Sequence, residues 1–480
     1  VGYRAVPEAG VVVDHFAPKI VVGNTTNGDP ATAQAFPFRY IPDLGDGSGV
    51  ALALTEIAVA GQGGDVYLRP GVYDFGLAGS PALPLTIPDD VKLHGVAFAS
   101  LTDPTRGSTL VVSQTSRHLF VMGNVATLQN LAIVVPSPAV GAVGTEVVSI
   151  AGAGFIDSVL ARITADQADV ANETLTAFFR GSLQRITRLV IASDAGYYPA
   201  QAALPELVGI DLATGFSLSY IRATQIQGID VGIVYAAVGD VAISDMLLFQ
   251  LTRGIDTLPG AGAVRVTNMI ATAIADRALT IGAEAACSFV GLTLQGNRVA
   301  GSIAIEVLGT SRCVQVSDVS TEGFEQAYVS GAPGALANAS LNTAGVWLVR
   351  LAGSDHRIAN ATLRECDNGM EIDLGAGRSA RVTNVLVVPG TGGFVVRTGL
   401  DIQITNCKSI QEAPFLGTGL LVEAVPVDIT VTNFHASGHV DGVDYAADYF
   451  TLVAANLRSN TNPLVVTGAP VSGLTGFVQV

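Results

Sequence analysis

Short alternations of apolar and polar residues recur along the chain, and each closes on Asn, Asp or Gly. They read VAISD (241–245), VRVTN (264–268), SFVG (288–291), VQVSD (314–318), GALAN (334–338), RIAN (357–360), ARVTN (380–384), IQITN (402–406), ITVTN (429–433) and LVAAN (452–456). The closing residues Asp245, Asn268, Gly291, Asp318, Asn338, Asn360, Asn384, Asn406, Asn433 and Asn456 follow one another at 20 to 27 residues, about 23 on average. A period of two is the signature of a β-strand. In VRVTN, Val264 and Val266 point inward and Arg265 outward. The Asn that follows sits where the chain must turn, because Asn tolerates left-handed backbone geometry. Its amide can bond to the Asn one coil above.

A second signature comes about ten residues later in the coil: GIDL (209–212), GIDV (228–231), GIDT (254–257), ALTI (278–281), GMEI (369–372), GLLV (419–422) and GVDY (442–445). Each coil is therefore strand, Asn turn, strand, loop, strand. One coil cannot bury its apolar face alone, so stability comes from stacking. The pattern predicts an all-β fold, a right-handed parallel β-helix solenoid with coils of about 23 residues.

One segment breaks the strand rhythm. In SGVALALTEIAVAG (48–61), Val50, Leu54 and Ile57 share a helical face, with Ser48 placed to cap and Gly61 to stop the helix. This predicts an N-terminal capping helix over the first coil. It is followed by GGDVYLRPGVYDF (63–75), LTIPDDVKLHGVAF (85–98) and STLVV (108–112). A helix, then G-G-x-V-x-L-x-P-G-x-Y, then I-P-x-x-V-x-L-x-G resembles the opening of the pectate-lyase-like β-helix superfamily. That group includes phage tailspikes, polysaccharide lyases and hydrolases. The resemblance implies the fold across 48–112, and the repeat extends it to about 456. A homotrimer is implied by the tailspike resemblance alone.

The expected organisation is 1–47 as an extended arm or lead-in, 48–112 as helix and first coils, and 113–480 as the solenoid body. Residues 193–208, with two Pro and paired Tyr, read as a projecting loop. The terminal PLVV and GFVQV read as segments that cap or pair between subunits.

Composition narrows the function classes. The chain has 480 residues, 49% hydrophobic and only 14% charged, against about 25% charged in an ordinary globular protein; its mean hydropathy is +0.46. No apolar run approaches the roughly 20 residues of a spanning helix, so no membrane span is expected. The net charge is −16, and the lysines are Lys19, Lys92 and Lys408. Nucleic acid, which needs a basic face, is not an expected partner. Cys287, Cys313, Cys366 and Cys407 lack metal-site spacing and read as buried free thiols.

Asp211, Asp230 and Asp256 of the three GID copies are the catalytic candidates. They read as outward carboxylates at one position in consecutive coils, about 5 Å apart between neighbours and about 10 Å between the outer two. Those separations suit retaining and inverting glycosidases. Bound Ca²⁺ is the alternative use, and plain surface charge the bland one. Glu365, Asp367, Glu371 and Asp373 bracket one turn and read as a cation site or a solvated acidic edge. Asp166, Asp169 and Glu173 read as a polar loop or helix start before Phe178-Phe179. His435 and His439 carry no ligand spacing. Arg222, Arg253 and Arg265 lie near the GID region without matching a catalytic pattern. No cofactor is expected.

With one tryptophan, Trp347, and 6% aromatics, the surface is short of stacking platforms for sugars. The leading expectation is a structural β-helix protein of a phage particle, a tail spike, fibre or capsid decoration, at the virion surface or extracellular. Its partners would be other virion proteins and a host-surface glycan. A polysaccharide-degrading hydrolase or lyase and a bacterial surface adhesin are the alternatives.

Overall fold

The computed structural model describes residues 3–5, 13–15, 17–32, 38–96, 107–136, 143–164, 174–193, 206–212, 219–309, 311, 313–342, 347–353, 355–375, 378–412, 416–423, 427–446, 449–457, 460–466 and 478–479. The projecting loop expected at 193–208 falls almost wholly outside them, as does the Asp166/Asp169/Glu173 run. The chain divides into two compact units, 1–239 and 240–480. Each is an all-β parallel solenoid of the right-handed type.

In the second unit, one outward column shows the construction. Arg265 lies opposite Ser288, which lies opposite Gln315, followed by Ala335, Arg357, Arg381, Gln403, Thr430 and Thr451, every pairing parallel. The chain thus returns to the same column after 20 to 27 residues, and no single coil length describes it. Successive strands run the same way because each completes a full turn before pairing. The neighbouring inward column is Ile243, Val266, Phe289, Val316, Leu336, Ile358, Val382, Ile404, Val431 and Leu452. All are buried, and each contributes about 1.5–3 kcal/mol of hydrophobic stabilisation.

The turn after this strand is left-handed in every coil of the second unit. Asp245, Asn268, Asp318, Asn338, Asn360, Asn384, Asn406 and Asn433 have φ between 52° and 55°, and Gly291 has φ 71°. Their side chains form interrupted ladders. Asn338 Nδ2 donates to Asp318 Oδ1 at 3.1 Å, Asn360 to Asn338 at 3.2 Å, and Asn384 to Asn360 at 3.0 Å. In the last copy the turn residue is Ala454 (φ 54°). Asn456, expected there, instead sits in the next strand opposite His435. PLVV does not pair away from the stack: Val443 lies opposite Leu464 in parallel.

In the first unit the same kind of turn is made by Asn130, Ser158, Arg188 and Ala223, with φ of 51–55°. They follow Gln129, Asp157, Thr187 and Arg222, which are paired in register. The lead-in expected over 1–47 is in part solenoid. Lys19–Asn24 pairs in parallel with both Arg39–Asp43 and Gly64–Leu68.

The helix Ser48–Ala60 buries Val50, Ala53, Leu54 and Ile57 against those strands. Ser48 does not cap it. Asp43 takes that role from outside the helix, accepting N–H bonds from Gly49 at 2.8 Å and Val50 at 3.2 Å on Oδ2, and from Gly45 and Gly47 on Oδ1. Gly61 (φ 63°) stops the helix, its N–H bonding to Ile57 and Ala58 carbonyls.

Candidate functional site

The GID aspartates do not form the ladder expected of them. Val208 pairs with Val231, so Asp211 lies opposite Val234 while Asp230 lies level with Leu207. Asp211 and Asp230 are thus four positions apart along the strand direction, about 13 Å, not about 5 Å. Nor do they face solvent: Asp211, Asp230 and Asp256 are 8%, 4% and 3% exposed. A buried carboxylate needs partners, and each has one. Arg180, from the coil before, donates to Asp211 at 2.9 Å and also reaches Glu146 at 3.2 Å. Asp230 accepts the backbone N–H of Leu207 at 2.9 Å. Asp256, in the second unit, pairs with Arg253 three residues earlier.

The acidic set Glu365, Asp367, Glu371 and Asp373 is dispersed as well. Glu365 occupies a left-handed turn position. Among the described residues no three His, Cys, Asp or Glu side chains converge as metal ligands. Three of the cysteines are buried free thiols, but Cys313 is exposed. Burial pushes the Cys366 and Cys407 thiols up to about 12 and about 11. His439 is buried with its Nε2 2.9 Å from Ser409 Oγ, in the bend that follows the short strand His435–Ser437.

Two grooves of the second unit gather charged side chains instead. The first has a cavity volume of about 350 Å³ and is lined by Glu306, Val329, Ser330, Arg350, Glu371 and Asp373, with the Leu308-Gly309 loop. Its strands stack as Glu306 opposite Val329, Val329 opposite Arg350, and Arg350 opposite Glu371. Glu371 is the hub. Its Oε2 accepts from Arg350 Nε at 2.6 Å and its Oε1 from Arg397 Nε at 2.7 Å. Arg397 then reaches both oxygens of Glu423 at 2.8 and 3.0 Å.

Glu371 is buried while the Arg350 side chain is 47% exposed. The buried carboxylate therefore holds by its Nε a guanidinium that lines the groove. Both Glu371 oxygens are taken, so it positions Arg350. The groove's own carboxylates are Asp373, which accepts from Thr398 Oγ1, and Glu306, which is paired with Arg277. Glu306 and Glu371 are three coils apart, about 14 Å, too far to act on one bond.

The second groove has a cavity volume of about 320 Å³ and includes Cys313, Gln315, Ala335, Asp355, Arg357, Ser379 and Arg381. Both volumes fall at the lower end of ligand sites. A groove of about 180 Å³ beside Asp157 and Arg185 in the first unit is smaller. In the sequence Glu371 and Asp373 belong to a set that reads as a cation site or a solvated acidic edge, and Arg350, Arg357 and Arg381 do not stand out at all. Their signal is an outward charge recurring at coil spacing, which appears only once the register is known.

No family model matches the chain, and no curated protein matches it. Solved structures with a similar course include the A-module of the mannuronan C-5 epimerase AlgE6 from Azotobacter vinelandii. It is 13% identical over 89% of this chain and 98% of that one, with a TM-score of 0.39. The catalytic unit of a GH87 alpha-1,3-glucanase from Streptomyces thermodiastaticus is 13% identical over 95% of this chain and 70% of that one, TM-score 0.31. A DFA-IIIase from Arthrobacter chlorophenolicus is 11% identical over 90% and 95%, TM-score 0.34. The parallel registers described above, and not these scores, define the fold.

Proposed function

We propose that this protein is a polysaccharide-degrading solenoid that engages its glycan in the groove of Arg350, Glu371 and Asp373. The observation that carries this reading is the Glu371 hub. A buried carboxylate with both oxygens committed presents Arg350 at an open groove that also holds two carboxylates. Oriented guanidinium donors and carboxylate acceptors suit the hydroxyls and acidic substituents of sugars. Asp373, the exposed carboxylate, is the candidate acid or base. Neither the GID triad as a ladder nor bound Ca²⁺ is needed for this reading.

The test is product release from a panel of neutral and acidic polysaccharides by the purified chain and by Asp373→Asn. Cleavage lowered about 100-fold or more in the variant, with its melting temperature kept, supports a general acid or base at this position. A chain that neither cleaves nor binds any glycan overturns the reading, and full activity in Asp373→Asn removes that residue.

One observation favours the structural reading. Leu247 and Ile270 lie opposite each other in register and are 37% and 48% exposed, with Phe249 beside them at 38%. Exposed apolar residues gathered on one sheet face suit packing against further copies of the chain, as a trimeric particle component at a virion surface requires. Sedimentation velocity of the wild type and of Ile270→Lys decides it. An oligomer that dissociates in the variant supports assembly, and a wild-type monomer at high concentration removes it.

A further inference from the structure

Arg357 and Arg381 occupy directly opposed positions in adjacent coils, so their stems leave the sheet about 4.8 Å apart. Like charges set directly opposite each other destabilise a sheet. Several other arginines of the second unit are matched with acids: Arg253 with Asp256, Arg277 with Glu306, Arg350 and Arg397 with Glu371. Neither Arg357 nor Arg381 has a hydrogen bond or ion pair among the described residues, and both are exposed. In a chain of net charge −16, two adjacent arginines without a carboxylate partner are an arrangement that a ligand would complete.

The surroundings form a receptacle. The column reads Gln315, Ala335, Arg357, Arg381, so the small Ala335 leaves a dip between the Gln315 amide and the first guanidinium. Ser379 lines the same groove. The one acid there, Asp355, is committed: its Oδ1 accepts the N–H of Ser379 at 3.0 Å and its Oγ at 2.9 Å. These bonds hold its carboxyl below the usual range, so it remains an anion and limits the groove to a net charge of about +1.

We propose that this groove binds a single tetrahedral oxyanion group, a sulfate or phosphate, bridged by Arg357 and Arg381. Two guanidinium forks need two oxygen edges. A tetrahedral oxyanion presents both, whereas a carboxylate has one such edge and serves two arginines with a single oxygen each, as Glu371 does. The group can be free in solution or an ester on a glycan. The site is separate from the Arg350 groove and does not depend on cleavage there.

Cys313 lines this groove and is the exposed cysteine of the chain's four, so its alkylation by iodoacetamide reports occupancy. The rate is measured with sodium sulfate, sodium phosphate, dextran sulfate and neutral dextran, in the wild type, Arg357→Gln, Arg381→Gln and Arg265→Gln. The expected result is protection by an oxyanion, a binding constant weakened about tenfold by either groove substitution, and no change in Arg265→Gln, which lies in the same column outside the groove. Protection by the inorganic salts identifies a free-anion site; protection by dextran sulfate alone identifies an ester carried on a glycan. No protection by any sulfate or phosphate overturns the proposal. Equal weakening by Arg265→Gln also overturns it, because binding would then follow charge and not the groove.

Discussion

The side-chain amide of Asn360 donates to Oδ1 of Asn338 at 3.2 Å, although the two are 22 residues apart in the chain. Both backbones are left-handed, with φ of 53° and 52°. One residue type thus meets two demands: it accepts a turn conformation that most side chains resist, and its amide passes a hydrogen bond from coil to coil.

Replacing Asn360 should separate those demands. Asn360→Gly keeps the turn but loses the ladder, at a cost of about 0.5–1.5 kcal/mol. Asn360→Val loses both and should cost about 1–2 kcal/mol more. Urea denaturation of the two variants reads the difference, and equal stability would show that the turn conformation is not a constraint.

Gly291 interrupts the ladder between Asn268 and Asp318. A Cβ there would meet Asn268 Oδ1 at 3.0 Å, a contact with the mobile end of an amide. Gly291→Asn should therefore be tolerated, and should stabilise by about 0.5–1 kcal/mol through the less flexible unfolded chain and a restored bond. Gly291→Ala, with no amide to add, should destabilise. A lower melting point for the Asn variant than for the Ala variant would mean that the Asn268 side chain cannot shift.

Glu371→Gln should leave Arg350 and Arg397 poorly held. Both arginines are more than a third exposed, so solvent screening keeps the stability loss to about 1 kcal/mol. The larger effect should be on glycan affinity, weaker by about tenfold. Calorimetric titration beside a thermal melt distinguishes the two; a melt that collapses with affinity intact in the surviving fold would make Glu371 purely structural.

Acid should weaken the second unit through His439 and His356. Burial holds both imidazoles below the ordinary value of 6.5. The unfolded chain then takes up the proton first, so their stabilising contribution is complete above about pH 6.5 and is lost as the pH falls through the folded values. His439→Gln should flatten the fall in stability between about pH 7 and pH 5. An unchanged slope in that variant would place the acid sensitivity elsewhere.

Asp43→Ala tests the helix entrance. It removes the acceptor for four backbone N–H groups of buried geometry. The loss should reach about 1–3 kcal/mol, and far-ultraviolet circular dichroism should show the helix Ser48–Ala60 fraying. Asp46→Ala, which removes an acceptor for Ser48 alone, should cost less.

Sequence alone was enough for the strand period and for the left-handed turns from Asp245 to Asn433, because each depends on local alternation and on a residue type suited to one backbone state; it misplaced the last turn, which falls on Ala454, and the face of Asp256, which is buried. It could not reveal the same turn at Ser158, Arg188 and Ala223, since a left-handed φ held by neighbouring coils no longer requires Asn. The pairing of distant charges was also out of its reach. Asp211 and Asp230 share a tripeptide yet stand about 13 Å apart along the strand, because the register was set by the apolar neighbours Val208 and Val231. Because coils differ in length, a constant spacing in the sequence does not identify which outward positions share a column. Only the tertiary stack decided that Glu371 would be buried between two arginines while Arg357 and Arg381 would meet each other.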